Sequence, residues 1–360
     1  MSLTYAHHPA IPVPADQREA VLADPGFGTR FTDHMVTATW TPDAGWHDGE
    51  LRPYAPLSLD PAAAVLHYAQ AIFEGLKAYR HDDGSVWAFR PEANAERFQS
   101  SARRLALPPL DSADFVAAID ALVRADHAWV PDGAEMSLYL RPFMFASEAF
   151  LGVRPATEVT FCLIASPAGP YFATGVAGVS IWLSTDFSRA APGGTGAAKC
   201  AGNYAASLLA MQQAAEHGCQ QVVFLDAVER TWVEELGGMN LFFVHADGTL
   251  VTPELTGTIL EGITRSSILT LAAEQGLDVV ERKVSITEWQ AAAAAGEIRE
   301  VFACGTAAVV TPVARLVWDD GDVTVGDGRP GPVTLGLRQA LVDLQYGRVA
   351  DRHGWMHKIR

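Results

Sequence analysis

Residues 166 to 175 read SPAGPYFATG, a cluster of proline, glycine and small residues lodged between two apolar runs. Such composition stops a regular element, because proline lacks an N–H and fixes its φ while glycine fixes nothing. EVTFCLIAS (158–166) leads into the cluster, and VSIWLSTD (179–186) begins soon after it. A chain of 360 residues exceeds what one hydrophobic core usually encloses. The break therefore predicts a small N-terminal α/β domain over 1–170, an interdomain linker over 171–177 and a large C-terminal domain over 178–360.

On the N-terminal side, HMVTATW (34–40) alternates as a strand and AYRHDDGSVWAF (78–89) reads as a hairpin around Asp83-Gly84. ANAERFQSSARRLAL (93–107) has helical spacing, and DSADFVAAIDALVRADHAWV (111–130) predicts a helix capped by Asp111 or Ser112. The strands MSLYLRPFMFA and EVTFCLIAS follow. The C-terminal side predicts a helix from about Asn203 to His217, stopped by Gly218, and then strand QQVVFLD. Hairpin strands around VEELGGMNLFFVHADGTLVTP come next, then helix TRSSILTLAAEQG, strand LDVVERKVS and helix TEWQAAAAAGEI. EVFACGTAAVVTPVARLVW (300–318) reads as one long strand, and TLGLRQALVDLQYG as a last helix. The pattern is α/β, of α+β type with much antiparallel pairing, and shows no internal repeat.

Composition removes several classes of function. Lys and Arg number 26 against 42 acids, a net charge of −16, and no basic run offers a stripe for phosphates, so nucleic acid is not an expected partner. The opening MSLTYAHHPAIPVPADQREA has no basic start followed by an apolar stretch, and no apolar run approaches a membrane span. A cytoplasmic location is expected. Cys162, Cys200, Cys219 and Cys304 are far apart and form no CxxC pair, so neither metal nor disulfide is predicted, only small buried side chains.

One basic residue stands out. In GGTGAAKCAGNYAAS (193–207), Lys199 is the single charge between Arg189 and Glu216. An amine attacks a carbonyl only when neutral, and burial away from other charges lowers its pKa from about 10.4. Gly193, Gly194 and Gly196 permit a tight approach of backbone, and the helix that follows presents its positive end. A solvated lysine in a glycine-rich loop gives the same local pattern. GGTGAAKC does not match a phosphate-binding GxxxxGK[ST] loop.

A Schiff-base lysine needs a phosphate cradle, an acid for a pyridine nitrogen and a donor for a ring oxygen. In LEGITRSSI (260–268), Gly262, Ile263 and Thr264 open a predicted helix, where free N–H groups and a hydroxyl can hold phosphate. In VEELGGMN (233–240), Glu235 precedes two glycines in an apolar strand. Pattern alone favours reading Glu234 and Glu235 as surface acids beside a turn, and alternation lets at most one of them face a site.

Taken in order, HYAQAIFEGLKAYR, FRPEANAERF, SLYLRPFMFA, GAAKCAGNYAAS, EELGGMN, LEGITRSSI and FACGTAAVVTPV resemble the class IV, pyridoxal-phosphate-dependent aminotransferases, and among them the branched-chain amino-acid aminotransferases. The resemblance covers most of the chain. It implies the two-domain fold type IV, like that of D-amino-acid aminotransferase, with pyridoxal 5′-phosphate joined to Lys199 as a Schiff base and Lys199 also shuttling the substrate's α-proton. Tyr204 then meets the ring oxygen and Glu235 the pyridine nitrogen. Arg97, with Gly262, Ile263, Thr264 and Thr306, holds the phosphate, while Arg90 stays structural. Tyr68 and Phe73 line the substrate pocket; Tyr139, Arg141 and the backbone at Thr306 and Ala307 handle carboxylates.

Substrates implied are L-leucine, L-isoleucine and L-valine, L-glutamate and their 2-oxo acids, in a homodimer. Gly238 stands where some members carry threonine near the substrate carboxylate, and Ala308 and Thr311 occupy the places of a redox-sensitive CxxC of animal members. The same motifs fit a D-amino-acid aminotransferase or an aminodeoxychorismate lyase. A non-catalytic binder of the cofactor is the reading from another class; it would need the phosphate cradle but not Lys199, Tyr204 and Glu235 together.

Overall fold

The computed structural model describes residues 3–170 and 176–360, so residues 171–175 of the expected linker lie outside the described residues. Two compact units emerge. The first takes residues up to 170 together with Ala198–Ala201 and Leu344–Arg360, and the second takes 176–197 and Gly202–Asp343.

In the first unit the strands are β1 (Ala6–His7), β2 (His34–Thr41), β3 (Gly45–Pro53), β4 (Ala71–Phe73), β5 (Leu76–Arg80), β6 (Val86–Phe89), β7 (Ser137–Ala146) and β8 (Val159–Ala168). They form one sheet in the order β1-β3-β2-β8-β7-β5-β6, closed at its edge by the C-terminal strand Met356–Lys358, with β4 also on β7. The helices are α1 (Ala15–Ala23), α2 (Ala64–Tyr68), α3 (Pro91–Arg104) and α4 (Ser112–Ala125).

At the β5–β6 turn Gly84 takes φ 81°, and Asp83 accepts the Ser85 N–H at 2.9 Å, as a tight turn of this composition requires. Helix α3 starts at Pro91, whose missing N–H costs nothing there. Its buried residues Asn94, Ala95, Phe98, Ser101 and Ala102 recur at helical spacing. Phe98 meets Phe115 of α4 and Phe161 of β8 at centroid distances of 5.3 and 5.9 Å, which anchors α3 on the sheet. Each such ring contributes about 1.5–3 kcal/mol by burial. Asp111 does occupy the cap position of α4, but its side chain makes no capping hydrogen bond; its backbone carbonyl accepts from Phe115 instead.

The second unit carries β9 (Val179–Leu183), β10 (Gln221–Leu225), β11 (Val233–Leu236), β12 (Asn240–His245), β13 (Leu250–Thr252), β14 (Val279–Glu281), β15 (Ile298–Gly305), β16 (Val309–Trp318) and β17 (Gly321–Thr324). The sheet order is β11-β10-β9-β16-β15-β12-β13-β14, with β17 on β16. Strand β9 lies parallel to both β10 and β16, and helix α5 (Ala201–Glu216) lies between β9 and β10 in the chain, as a parallel crossover demands. Helices α6 (Ile263–Glu274), α7 (Ile286–Ala294) and α8 (Pro332–Gln345) follow.

The single strand expected over 300–318 is instead two antiparallel strands, β15 and β16, paired from Val301↔Val313 to Gly305↔Val309. Thr306, Ala307 and Ala308 make the turn, and Val309 takes φ 61° to leave it. Nothing but small residues marks that reversal, so apolar periodicity runs through it unbroken. Two further segments also depart from a single boundary near 170. The strand Met356–Lys358 pairs with β6, and Ile359 enters the first core. Cys200 bridges to Ile72, and Phe73 N–H donates to the Lys199 carbonyl at 3.1 Å. Strand pairing, which composition does not reveal, takes both segments to the first unit.

Candidate active site

Lys199 is held by its backbone. Its N–H donates to Ser101 Oγ of α3 at 2.9 Å, and its carbonyl accepts from Phe73 at the end of β4. The Nζ lies 4.6 Å from the centroid of the Phe73 ring. Burial pushes its pKa down to about 8, and Arg97 and then Arg141 add to the fall, while Glu74 and Tyr139 oppose it. An amine so placed is half neutral near pH 8, the protonation state that carbonyl chemistry requires.

Next to it lies a group the motifs did not single out. Glu74 is completely buried and accepts from Arg97 Nε at 2.7 Å and Nη2 at 2.8 Å, from Asn94 Nδ2 at 2.7 Å and from the Gly75 N–H at 3.2 Å. Burial alone would push its carboxyl up, but the charge and hydrogen bonds of Arg97, with Lys199 beyond, hold it below the usual carboxylate range. Arg141 donates to the Tyr139 hydroxyl at 2.9 Å, and its guanidinium stacks 4.8 Å from the Phe73 centroid. Thus Phe73, Arg97, Tyr139, Arg141 and Lys199 form one cluster in the first unit. Tyr68 does not join it: this exposed residue at the end of α2 donates its hydroxyl to the Leu151 carbonyl and packs on His67. Arg90, kept as structural, donates its N–H to Trp355 and stacks on that ring at 5.0 Å.

The second unit assembles the remaining residues. On β11 both Glu234 and Glu235 are buried, so the surface reading is wrong for each. Glu235 Oε1 meets Arg189 Nη2 at 2.6 Å and accepts the Leu260 N–H at 2.9 Å. Glu234 accepts from the Thr258 hydroxyl, and burial pushes its carboxyl pKa up. A cavity of about 220 Å³ lies on the Glu234 side, lined also by Trp232, Thr258 and Lys283, and none of the expected site residues borders it.

Arg189 also donates to the carbonyls of Gly196 and Thr258. Gly196 has to be glycine, since a Cβ there would lie 2.3 Å from the Thr258 oxygen. Asn203 and Thr195 exchange two hydrogen bonds of 2.7 Å, which tie the glycine-rich loop to the first turn of α5. Tyr204 stands in that turn, and a Cβ on Gly238 would meet its ring at 3.5 Å. Gly305, just before Thr306 and Ala307, approaches Met239 and Gly238 as closely. Tyr204, Gly238 and the Thr306–Ala307 turn are therefore neighbours.

Gly262 caps α6 without a side-chain hydrogen bond, which leaves Ile263 and Thr264 in a first turn whose N–H groups suit an anion. A Cβ on Gly262 would fall 2.0 Å from Asn240 Oδ1, while Asn240 Nδ2 donates to the Leu260 carbonyl at 3.0 Å. The first unit holds a near-neutral amine and a guanidinium, and the second a helix start without a side-chain cap and a buried carboxylate; each is a kind of group that an aldehyde bearing a phosphate and a basic ring nitrogen would require. Sequence reasoning missed Glu74, Arg189, Asn94 and Asn240. Glu74 sits inside the quoted FEG motif, and only an acid in so apolar a run could have signalled it.

Residues 71–316 match the family described as amino-transferase class IV. The chain is 59% identical over 346 residues to the branched-chain-amino-acid aminotransferase of Mycolicibacterium smegmatis, across 95% of this chain and 94% of that protein. The crystal structure of the Escherichia coli branched-chain amino acid aminotransferase superposes with a TM-score of 0.77 at 31% identity, across 91% of this chain and 99% of that one. The T.th. enzyme of the same name, solved with pyridoxamine 5′-phosphate, superposes with a TM-score of 0.75 at 30% identity, across 90% of this chain and 98% of that one. It has also been solved with N-(5′-phosphopyridoxyl)-L-glutamate, at a TM-score of 0.72 and 29% identity over the same shares. With its motifs, its two sheets and its amine-bearing cluster all in agreement, the chain belongs to the class IV aminotransferases, within their branched-chain amino-acid group.

Proposed function

We propose that the protein transfers an amino group between L-leucine, L-isoleucine or L-valine and 2-oxoglutarate, with pyridoxal 5′-phosphate carried by Lys199. The observation that carries this reading is the Lys199 amine, lowered to about pKa 8 and packed against Phe73 beside two guanidiniums. Pyridoxal phosphate, when bound, supplies the aldehyde that the amine captures and a sink for the electrons left at the substrate's α-carbon. Lys199 Nζ would take the proton from that α-carbon and deliver it to the cofactor's C4′, work suited to a group titrating near the working pH.

Arg97, Gly262, Ile263, Thr264 and Thr306 hold the phosphate by charge, helix-terminal N–H groups and hydroxyls. Tyr204 donates to the ring oxygen, and Glu235, steadied by Arg189 and Leu260, faces the ring nitrogen. Phe73, packed against the Lys199 amine, gives the substrate side chain apolar surface; Tyr68, expected to share that role, stands outside this cluster. Arg141, with Tyr139, meets the distal carboxylate of glutamate, and the backbone of Thr306 and Ala307, beside Gly238, meets the α-carboxylate.

The exposed residues Leu66, Tyr68, Leu151 and Val153 leave apolar surface around the Tyr68–Leu151 contact, which supports a homodimer. Sedimentation equilibrium should give twice 38.6 kDa; a monomer mass would sink that part of the reading. Among the described residues no helix is long and apolar enough to cross a membrane. The four cysteines are free and buried, which suits a reducing cytoplasm.

The test of function is the visible spectrum of the purified protein with pyridoxal phosphate, recorded before and after L-leucine without an oxo acid. Loss of the yellow colour and recovery with 2-oxoglutarate are expected. Bleaching by a D-amino acid alone, or pyruvate release from aminodeoxychorismate, would move the function to the other members of the fold. A protein that never turns yellow would remove the cofactor altogether.

A further inference from the structure

Glu74 has no part in the chemistry assigned above, yet it is completely buried and takes four donors, two of them from Arg97. A buried ion pair is poor evidence of a purely stabilising role, because well-packed apolar residues usually serve stability as well or better. Its surroundings suggest why a charge is kept. Lys199 faces Arg97 from α3, Arg141 and Tyr139 from β7, and Glu74 from the link between β4 and β5. Of these, Glu74 is the one carboxylate, set against two guanidiniums and the amine itself.

We propose that Glu74 is a positioning residue for the amine chemistry at Lys199: its carboxylate fixes the Arg97 guanidinium and offsets that cation's charge at the amine. The proposal rests on the reading of Lys199 as the reactive amine. A phosphate-binding arginine close to that lysine creates a conflict. Its charge makes the neutral amine easy to reach, but it also weakens the amine's hold on a proton, and a group that takes a proton from substrate must be able to keep it. One carboxylate in bidentate contact resolves both needs. It aims the guanidinium through two bonds of 2.7 and 2.8 Å and leaves only part of its charge to act at Lys199.

The experiment uses the full-length enzyme freed of cofactor. The pH dependence of acetic anhydride labelling at Lys199 is read by mass spectrometry of the peptide that carries it, alongside the thermal transition of each variant. E74Q should lower the labelling midpoint by about one pH unit, because Arg97 then acts unopposed. E74D, which keeps the charge, should restore most of that shift, and a merely structural role would not distinguish the two by their midpoints. An E74Q profile that coincides with the parent's, in a variant that folds normally, overturns the proposal. If E74Q does not fold, R97Q and E74Q/R97Q carry the test: with the guanidinium gone the two should titrate together, and a double variant well below R97Q would show Glu74 acting without Arg97 and overturn the proposal. Because no cofactor or substrate takes part, an enzyme indifferent to L-leucine would defeat the proposed function and leave this result standing.

Discussion

An amine that titrates near 8 in place of 10.5 changes what a single residue can do at ordinary pH. The sign is that of a base whose charged form is disfavoured: above about pH 8 Lys199 is mostly neutral, and below it mostly ammonium. The rate at which the cofactor-free protein captures pyridoxal phosphate should therefore rise with pH through about 8 and then level off. A rise that continues toward 10.5 would show an ordinary lysine. Lys199→Ala should lower single-turnover transamination by about 10²–10⁴-fold for the lost acid–base step alone, and rapid-mixing absorbance would measure it; near-parent turnover would remove the residue from the mechanism. Lys199 was legible because a lone charge in a run of small residues is visible by eye. Glu74 and Arg97, 23 positions apart, were not legible as a pair, since neither spacing nor composition states which acid a given arginine will meet.

At the scale of an element, strand alternation gives the neighbours Glu234 and Glu235 opposite faces of β11 and different chemistry. Glu235→Gln removes the anion facing Arg189 and leaves a buried cation, which should cost about 3–5 kcal/mol in urea unfolding. Glu234→Gln swaps a carboxyl already biased toward its neutral form by burial, and should shift the urea midpoint far less. Equal losses would mean that the Arg189 contact contributes nothing particular. At the start of α6, Gly262→Ala sets a Cβ against Asn240 Oδ1 and strains the Asn240–Leu260 bond. The expected results are weaker cofactor binding in a fluorescence titration and about 1–3 kcal/mol less stability; unchanged affinity would take the helix start out of the phosphate site. The residue types of this helix start, and the Asp83-Gly84 hairpin, could be read from sequence because turn and cap chemistry is local. The Thr306–Ala308 reversal could not, since it is imposed by pairing between β15 and β16 across residues with no turn preference of their own.

For the whole molecule, the division into two units was foreshadowed by chain length and by the break near 170, whereas the return of the C-terminus was not. Met356–Lys358 borders β6, Ile359 is buried in the first core, and Arg124 Nε donates to the Ile359 carbonyl at 2.8 Å. Removing residues 355–360 should cost the first unit about 3 kcal/mol or more from lost burial and hydrogen bonds, seen as an earlier thermal transition; an unchanged transition would make the strand ornamental. Sequence reasoning missed it because three residues are too few to show a period.

That final strand also sets an order in time. Synthesis runs from the N-terminal side, so β6 is made long before the strand Met356–Lys358 that seals its edge. Until residues 356–358 are made, β6 must wait with an unpaired edge exposed, the condition in which growing chains are most prone to pair with one another.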